Sequence, residues 1–171
     1  MSLVRLKNRA ISKLTTRLPF FAKIYADAFN PLETNDVPWT PLKRPLSESK
    51  LALVTTAGVL HRDQLPFNMN NREDDPTFRV IDSLQPVEDL MITHDYYDHS
   101  DADKDMNIVF PIERMREFEK KGIIGGLGEN HYGFMGHILG RHIDRLMHEC
   151  APAVAEKLLR DNIDIVILTP G

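Results

Sequence analysis

Cysteine, surplus basic charge and long apolar runs are scarce in this sequence, and each scarcity excludes a class of protein. The single cysteine, Cys150, leaves no partner for an internal disulfide or a thiol redox pair within these 171 residues. Low cysteine usage is typical of a reducing compartment, so a cytoplasmic location is expected. No stretch approaches the ~20 apolar residues that cross a membrane. A net charge of −4 gives no basic surplus for nucleic acid, so no nucleic-acid partner is expected.

The first part of the chain, residues 1–29, predicts a basic amphipathic helical arm. It contains several lysines and arginines but a single acidic residue, Asp27, and its apolar residues recur at helical spacing. We favour an arm that packs on its own domain or on a neighbouring subunit over a helix that lies on a membrane. Residues 30–48 form a proline-rich connector, and its Trp39 is expected to dock on the core.

The remaining residues, 49–171, alternate between strand and helix patterns. Strands are predicted near 51–56, 89–93 and 164–169, and helices over 111–121 and from Pro152 onward, whereas residues 61–80 and the glycine-rich stretch 122–140 predict loops. This order predicts an α/β domain: a Rossmann-like layered fold with a mainly parallel sheet that these residues build only in part. The last apolar run predicts a buried interior strand.

Histidine positions give the first candidates for chemistry. His94 follows an apolar strand directly and should project at its carboxyl edge, where an imidazole can transfer protons near neutral pH. A histidine that merely satisfies loop carbonyls is an equally compatible alternative. His61 follows the first strand and is expected to share the same edge.

Metal and nucleotide sites find little support. The carboxylates at 101, 103 and 105 do not make a calcium loop, because Met106 stands in the glycine position and Ile112 in the glutamate position. No histidine spacing is diagnostic of a transition metal, so no metal is expected. Residues 126–128 lack the third glycine of a dinucleotide fingerprint. Cys150 lies on the apolar stripe of a helix, which favours packing over nucleophilic chemistry.

Several segments together carry a family resemblance. In matching order over most of residues 37–171, they resemble the selenoprotein B family of glycine, sarcosine, betaine and D-proline reductases, and most closely its D-proline reductase branch; the basic arm lies outside the resemblance. The segments are Val37-Pro-Trp-Thr-Pro41, Leu51-Ala-Leu-Val-Thr-Thr-Ala-Gly58, Leu90-Met-Ile-Thr-His94 with its continuation to Pro111, Tyr132-Gly-Phe-Met-Gly136 and Asp164-Ile-Val-Ile-Leu-Thr-Pro-Gly171.

The resemblance implies a redox mechanism. It places a selenocysteine, or a cysteine in selenium-free relatives, directly after the segment that ends at Gly171, so a chain truncated at that codon would be inactive. A pyruvoyl group on a partner subunit would bind the amine of a small amino acid or amine substrate. The selenolate would then cleave a C–N bond reductively and be reset by a thiol reductant. This chain itself carries no cofactor, and a homo- or hetero-oligomer is expected.

The resemblance also implies roles for individual residues. His94 and Asp98 are the catalytic candidates, as proton relay and orienter beside the missing redox residue. Substrate-binding or loop-shaping candidates follow: His61, Asp105, Asn107 and Thr169. The alternative function is a non-catalytic α/β binding or assembly module that pairs with another subunit through the edge of its final strand.

Overall fold

The computed structural model describes residues 3–18, 20, 23–24, 27, 39–69 and 75–171. In these ranges the helices are α1 Leu3–Arg17, α2 Ile112–Lys120, α3 Arg141–Arg145 and α4 Ala151–Arg160, and a π-helical turn, Leu146–Cys150, joins α3 to α4. The strands are β1 Lys50–Thr55, β2 Val59–His61, β3 Arg79–Asp82, β4 Leu90–Ile92, β5 Gly126–Leu127, β6 Asn130–Gly133 and β7 Ile165–Thr169. Residues 30–38 of the proline-rich connector and part of the basic arm lie outside the described residues.

Strand β1 is the centre of the main sheet. It runs parallel to β7 on one side and parallel to β5 and β6 on the other, while β3 pairs antiparallel with β6. Strands β5 and β6 pair with successive halves of β1, so together they act as one interrupted strand. Strands β2 and β4 form a separate antiparallel ladder. The mostly parallel sheet and its helices confirm the predicted α/β fold.

The sequence of β1 is apolar at consecutive positions because both faces of this central strand are covered. Leu51 and Leu53 pack in a cluster with Ile112 and Met115 of α2. Val54 packs on the opposite face, in a second cluster that includes Cys150. The cysteine is therefore a packing residue, as expected, and burial raises the pKa of its thiol.

Three expectations about burial and loops fail. Strand β7 is not a buried interior strand here: Leu168 is 74% exposed and Val166 is 38% exposed, since β7 pairs with β1 alone among the described strands. Trp39 does not dock on the core, because its side chain is 85% exposed. The glycine-rich stretch is not a loop throughout but contains β5 and β6.

Gly133 explains why a glycine can stand inside a strand. A Cβ atom at this position would lie 2.0 Å from the backbone oxygen of Val59, so the glycine permits β6 to pass directly under the start of β2. Gly122 has a different role at the end of α2. Its φ of +66° closes the helix in the left-handed conformation, as the sequence predicts.

Candidate functional site at the carboxyl edge

The carboxyl ends of β1, β6 and β7 meet at one edge of the sheet. The N–H of Thr56 donates to the carbonyl of Thr169 at 3.0 Å, and the N–H of Gly58 donates to the carbonyl of Phe134 at 2.9 Å. The first bond continues the parallel β1–β7 ladder, and the second accompanies an antiparallel bridge between Ala57 and Met135. In α/β sheets this is the edge at which ligands bind, because loops diverge there.

His94, Gly136 and Gly171 come together at this edge, although they are far apart in the sequence. A Cβ atom at Gly136 would lie 3.0 Å from the oxygen of Gly171, 3.0 Å from the oxygen of Thr56 and 3.4 Å from Nε2 of His94. A Cβ atom at Gly171 would lie 2.3 Å from Cα of Ala57. We call these residues (Thr56, Ala57, His94, Gly136 and Gly171) the carboxyl-edge site. Glycine at 136 and 171 is what permits this close approach.

His94 presents a free hydrogen-bond donor to the carboxyl-edge site. Its side chain is only 3% exposed, and its Nδ1 accepts the N–H of Tyr96 at 3.1 Å. That bond assigns the proton of the neutral ring to Nε2. Within the described part of the chain, Nε2 is buried and has no hydrogen-bond partner. A donor in this state can stabilise an anion that enters the site.

Burial keeps the His94 ring neutral. It lowers the pKa of His94 from 6.5 to about 4, assisted by the nearby charges of His137 and His99 and opposed by Asp95. The ring therefore carries no charge at pH 7. Because Nδ1 is already occupied by a backbone N–H, the geometry favours a fixed hydrogen-bond donor over the proton relay expected from the resemblance.

Aromatic rings pack around His94, whereas Gly136 and Gly171 at the same site are exposed. The ring of Tyr97 meets that of His94 edge to face at 4.7 Å, and its hydroxyl donates to the carbonyl of Ala57 at 3.1 Å. Burial, with a smaller effect of Asp103, raises the pKa of Tyr97 above its usual value, so this hydroxyl stays protonated. Tyr96 stacks on His137 with ring centroids 3.8 Å apart.

Helix α1 closes over the site through an ion pair that sequence reasoning missed. The carboxylate of Asp95, directly after His94, is 2% exposed and lies 2.5 Å from Nε of Arg5 and 3.9 Å from Nε of Arg9. The hydrogen bond that Arg5 donates to Asp95 raises the pKa of the Arg5 guanidinium. The sequence did show that the arm is rich in cations and has one acid of its own, so it needs acidic partners elsewhere. A local pattern cannot identify such a partner, because Arg5 and Asp95 are 90 positions apart.

Two cavities lie under α1 beside these residues. One, of about 230 Å³, is lined by Arg5, Arg9, Thr93, His94, Asp95 and His99, among others. The other, of about 370 Å³, lies between the inner face of α1 and the stacked rings of Tyr96 and His137. Both are large enough for a molecule of the size of a small amino acid.

Asp98 does not contact His94 in any hydrogen bond of the structure. Its Oδ1 accepts the N–H of Ser100 at 3.3 Å, and the half-buried side chain lines a cavity with Arg9 and Lys13 of α1.

His61 also lies away from the site. It pairs with Leu90 at the far end of the β2–β4 ladder, whereas His94 follows the other end of β4, and its Nε2 accepts the N–H of Asp82 at 3.0 Å.

Asp105, Asn107 and Thr169 shape the loop that leads to α2. The Asp105 carboxylate accepts the N–H of Asn107 at 3.0 Å, and the hydrogen bonds from Asn107 lower the pKa of Asp105. The Asn107 side chain in turn accepts the N–H of Glu113 in the first turn of α2 at 3.1 Å. The hydroxyls of Thr55 and Thr169 both donate to the carbonyl of Val109, at 3.0 and 2.7 Å. These two bonds tie the loop to the edge of the sheet.

The described residues contain no cluster of three or more histidine, cysteine or acidic side chains that could hold a metal ion. No helix in the part of the chain that the structure describes is long and apolar enough to cross a membrane.

Comparison with known proteins gives one family. The family described as glycine/sarcosine/betaine reductase selenoprotein B matches residues 5–171, so the match includes most of the basic arm, which the sequence resemblance had left out. D-proline reductase subunit gamma of Acetoanaerobium sticklandii is 38% identical over 78% of this chain and 53% of its own length.

Two further relatives are more distant. A glycine reductase complex component B subunit gamma of Symbiobacterium thermophilum is 29% identical over 94% of the chain and 37% of its own length. A sarcosine reductase complex component B subunit beta of Peptoclostridium acidaminophilum is 28% identical over 78% of the chain and 30% of its own length. The chain thus spans about half, or less, of the length of these relatives. No solved structure matches it.

Proposed function

The chain belongs to the glycine/sarcosine/betaine reductase selenoprotein B family, and from this membership we propose that it forms part of a subunit that reductively cleaves a C–N bond. The substrate class is a small amino acid or amine such as D-proline, glycine, sarcosine or betaine. Three of the relatives are named as components of reductases acting on such compounds. A pyruvoyl-containing partner subunit that binds the substrate amine is part of this proposal.

One observation carries the proposal: Gly171 and Nε2 of His94 meet at Gly136. A residue joined to the carbonyl of Gly171 would begin within reach of that donor. The resemblance implies a selenocysteine or cysteine at this place. A selenolate or thiolate there would supply the nucleophile, and a dithiol would supply the two electrons and two protons that convert C–N into C–H and N–H. The chain's own part is to hold and stabilise the anion.

His94 performs that part as a neutral donor. Its Nε2–H lies near Gly136 and would donate to an anion held by a residue that follows Gly171, and burial prevents the ring from taking up a proton at pH 7. A hydrogen bond to a charged acceptor is worth about 1.5–3 kcal/mol. Its loss should therefore raise the pKa of the nucleophile by roughly 1–2 pH units.

The experiment uses a polypeptide that continues past Gly171 through the redox residue. His94→Asn keeps the acceptor for the Tyr96 N–H but removes the Nε2 donor, whereas His94→Gln places an amide donor near the position of Nε2. We expect His94→Asn to lower substrate-dependent dithiol oxidation by roughly 10- to 100-fold and to raise the pH midpoint of alkylation of the nucleophile. His94→Gln should keep part of both. Equal losses in both variants, with an unchanged alkylation midpoint, would show that His94 is structural.

A matched comparison tests the truncation. A polypeptide that ends at Gly171 should show no substrate-dependent oxidation of dithiols, because it lacks the nucleophile. Turnover by that polypeptide at the rate of the longer one would overturn the proposal.

A non-catalytic assembly module is the second candidate, and strand β7 favours it. The strand pairs with β1 only, among the strands described, and Leu168 on it is 74% exposed. Such an apolar edge is suited to pair with another strand. The two candidates are separated by the alkylation experiment, since an assembly module has no nucleophile beside His94.

A further inference from the structure

Helix α1 is mounted on its domain with the polar face inward. Its buried or half-buried side includes the polar Asn8, Ser12 and Thr15 together with the apolar Ile11, and these line the cavity against Tyr96 and His137. Arg5 on the same side reaches Asp95. An amphipathic helix of a soluble domain ordinarily buries its apolar stripe instead, because apolar area is what burial stabilises.

The apolar side of α1 faces outward. Leu3, Leu6, Ala10 and Leu14 follow one another at helical spacing, and we call these four residues the α1 stripe. Leu3, Leu6 and Leu14 are 86%, 54% and 45% exposed, and Leu18, just past the helix, is 45% exposed. In the part of the chain that the structure describes, nothing covers this stripe. A contiguous apolar surface of this kind is typical of an interaction site.

Positively charged residues lie on both sides of the α1 stripe. Lys7 and Lys13 are exposed and lie on opposite sides of it around the helix, and α1 contains no acidic residue. A partner must therefore bring apolar side chains for the stripe and negative charge for both flanks. An amphipathic helix with acidic residues beside its apolar seam has this chemistry.

We propose that the α1 stripe is a docking surface for an acidic amphipathic helix of another subunit. A second copy of α1 fits poorly, because lysine flanks would meet lysine flanks. An anionic membrane is also less suited, since Arg5 is bound to Asp95 and withdrawn from lipid headgroups, and the 44% exposed Arg9 also lies 3.9 Å from that carboxylate. The proposal rests on the proposed function only in that the chain works as a subunit, and binding can be measured apart from turnover.

The test uses the 171-residue chain and a fluorescent synthetic peptide with leucine at heptad positions a and d and glutamate at e and g. A scrambled peptide of the same composition is the control probe. Anisotropy should show binding of the helical peptide and at least tenfold weaker binding of the scrambled one. Leu14→Glu should weaken binding by roughly tenfold or more, whereas Leu84→Glu, at a leucine 80% exposed outside α1, should have no effect.

A charge exchange makes the test sharper. The double variant Lys7→Glu with Lys13→Glu should no longer bind the glutamate peptide. It should instead bind a peptide of the same design with lysine in place of glutamate at positions e and g. Lys121→Glu, at an exposed position outside α1, should change neither preference. Circular dichroism of each variant should match the parent chain, since all of these side chains are exposed.

Four results would overturn the proposal. The first is binding of neither peptide, and the second is equal binding of the helical and scrambled peptides. The third is flotation with phosphatidylglycerol vesicles that Leu14→Glu abolishes, without peptide binding, which would assign the stripe to a membrane. The fourth is self-association in sedimentation velocity that the same variant abolishes, again without peptide binding, which would assign it to a second copy.

Discussion

Acidification from pH 7 to pH 5 should unfold this protein more readily, because two buried histidines are held neutral. Burial lowers the pKa of His94 and of His131 from 6.5 to about 4. In the unfolded chain both rings take up a proton as the pH falls below 6.5, but in the folded chain they do so only near pH 4. The unfolded state therefore binds more protons between these values, and stability falls as the pH falls through that window.

The size of the effect follows from the two pKa values. At pH 5 each histidine should cost about 2 kcal/mol of unfolding free energy relative to pH 7, so the pair costs about 4 kcal/mol. That is a large part of the 5–15 kcal/mol that stabilises a typical domain. The carboxylates with resolved shifts, Asp75 and Asp105, have lowered pKa values, so they titrate below this window.

Urea unfolding followed by far-UV circular dichroism at pH 7, 6 and 5 measures the effect. His94→Asn and His131→Asn each keep the acceptor for the backbone N–H that Nδ1 now receives, from Tyr96 and Leu53. Each variant should remove about half of the pH-dependent loss. His148→Asn, at an exposed histidine, should leave it unchanged. A loss below about 1 kcal/mol in the parent chain, or the same slope in all four proteins, would refute the reasoning.

Two further predictions concern the supports of the site. Arg5→Met should destabilise the fold by about 2–4 kcal/mol, because it leaves the carboxylate of Asp95 buried without its main partner. The control Arg114→Met removes one residue of an exposed ion pair and should cost less than about 0.5 kcal/mol. Chemical denaturation of the two variants measures both free energies. Gly133→Ala should destabilise the fold by about 3 kcal/mol or more, since the added Cβ would meet the backbone of β2. Gly122→Ala should cost about 1 kcal/mol, from its positive φ alone. Thermal melts that rank the two variants in the opposite order would contradict the packing described for β6.

The sequence predicted the elements whose pattern is local. The apolar run of β1 predicted a strand within one residue of its observed bounds, and Gly122 predicted the end of α2. His94 could be placed at a strand's carboxyl edge for the same reason, since it follows directly after a short apolar run. Asp105 and Asn107 form hydrogen bonds to nearby backbone, as Asx side chains commonly do, and whether they shape the loop for function or bind substrate stays a prediction.

What the sequence did not predict depends on contacts between distant residues. Glycines lower strand propensity, so the sequence predicts loops where β5 and β6 form, yet Gly133 in β6 and Gly125 just before β5 permit close passage of neighbouring backbone. The Arg5–Asp95 pair and the inward polar face of α1 are set by how the arm docks. The exposure of Leu168 likewise depends on which strands flank β7, and no local pattern contains that information.

The central claim of the proposed function is that a redox-active residue would follow Gly171 directly, beside His94. Reading the coding sequence past the Gly171 codon tests it most directly. The account predicts UGA or a cysteine codon there, followed by an open frame with a further cysteine nearby. A UAA or UAG codon with no coding frame beyond it would contradict the account, and the assembly-module function would then take its place.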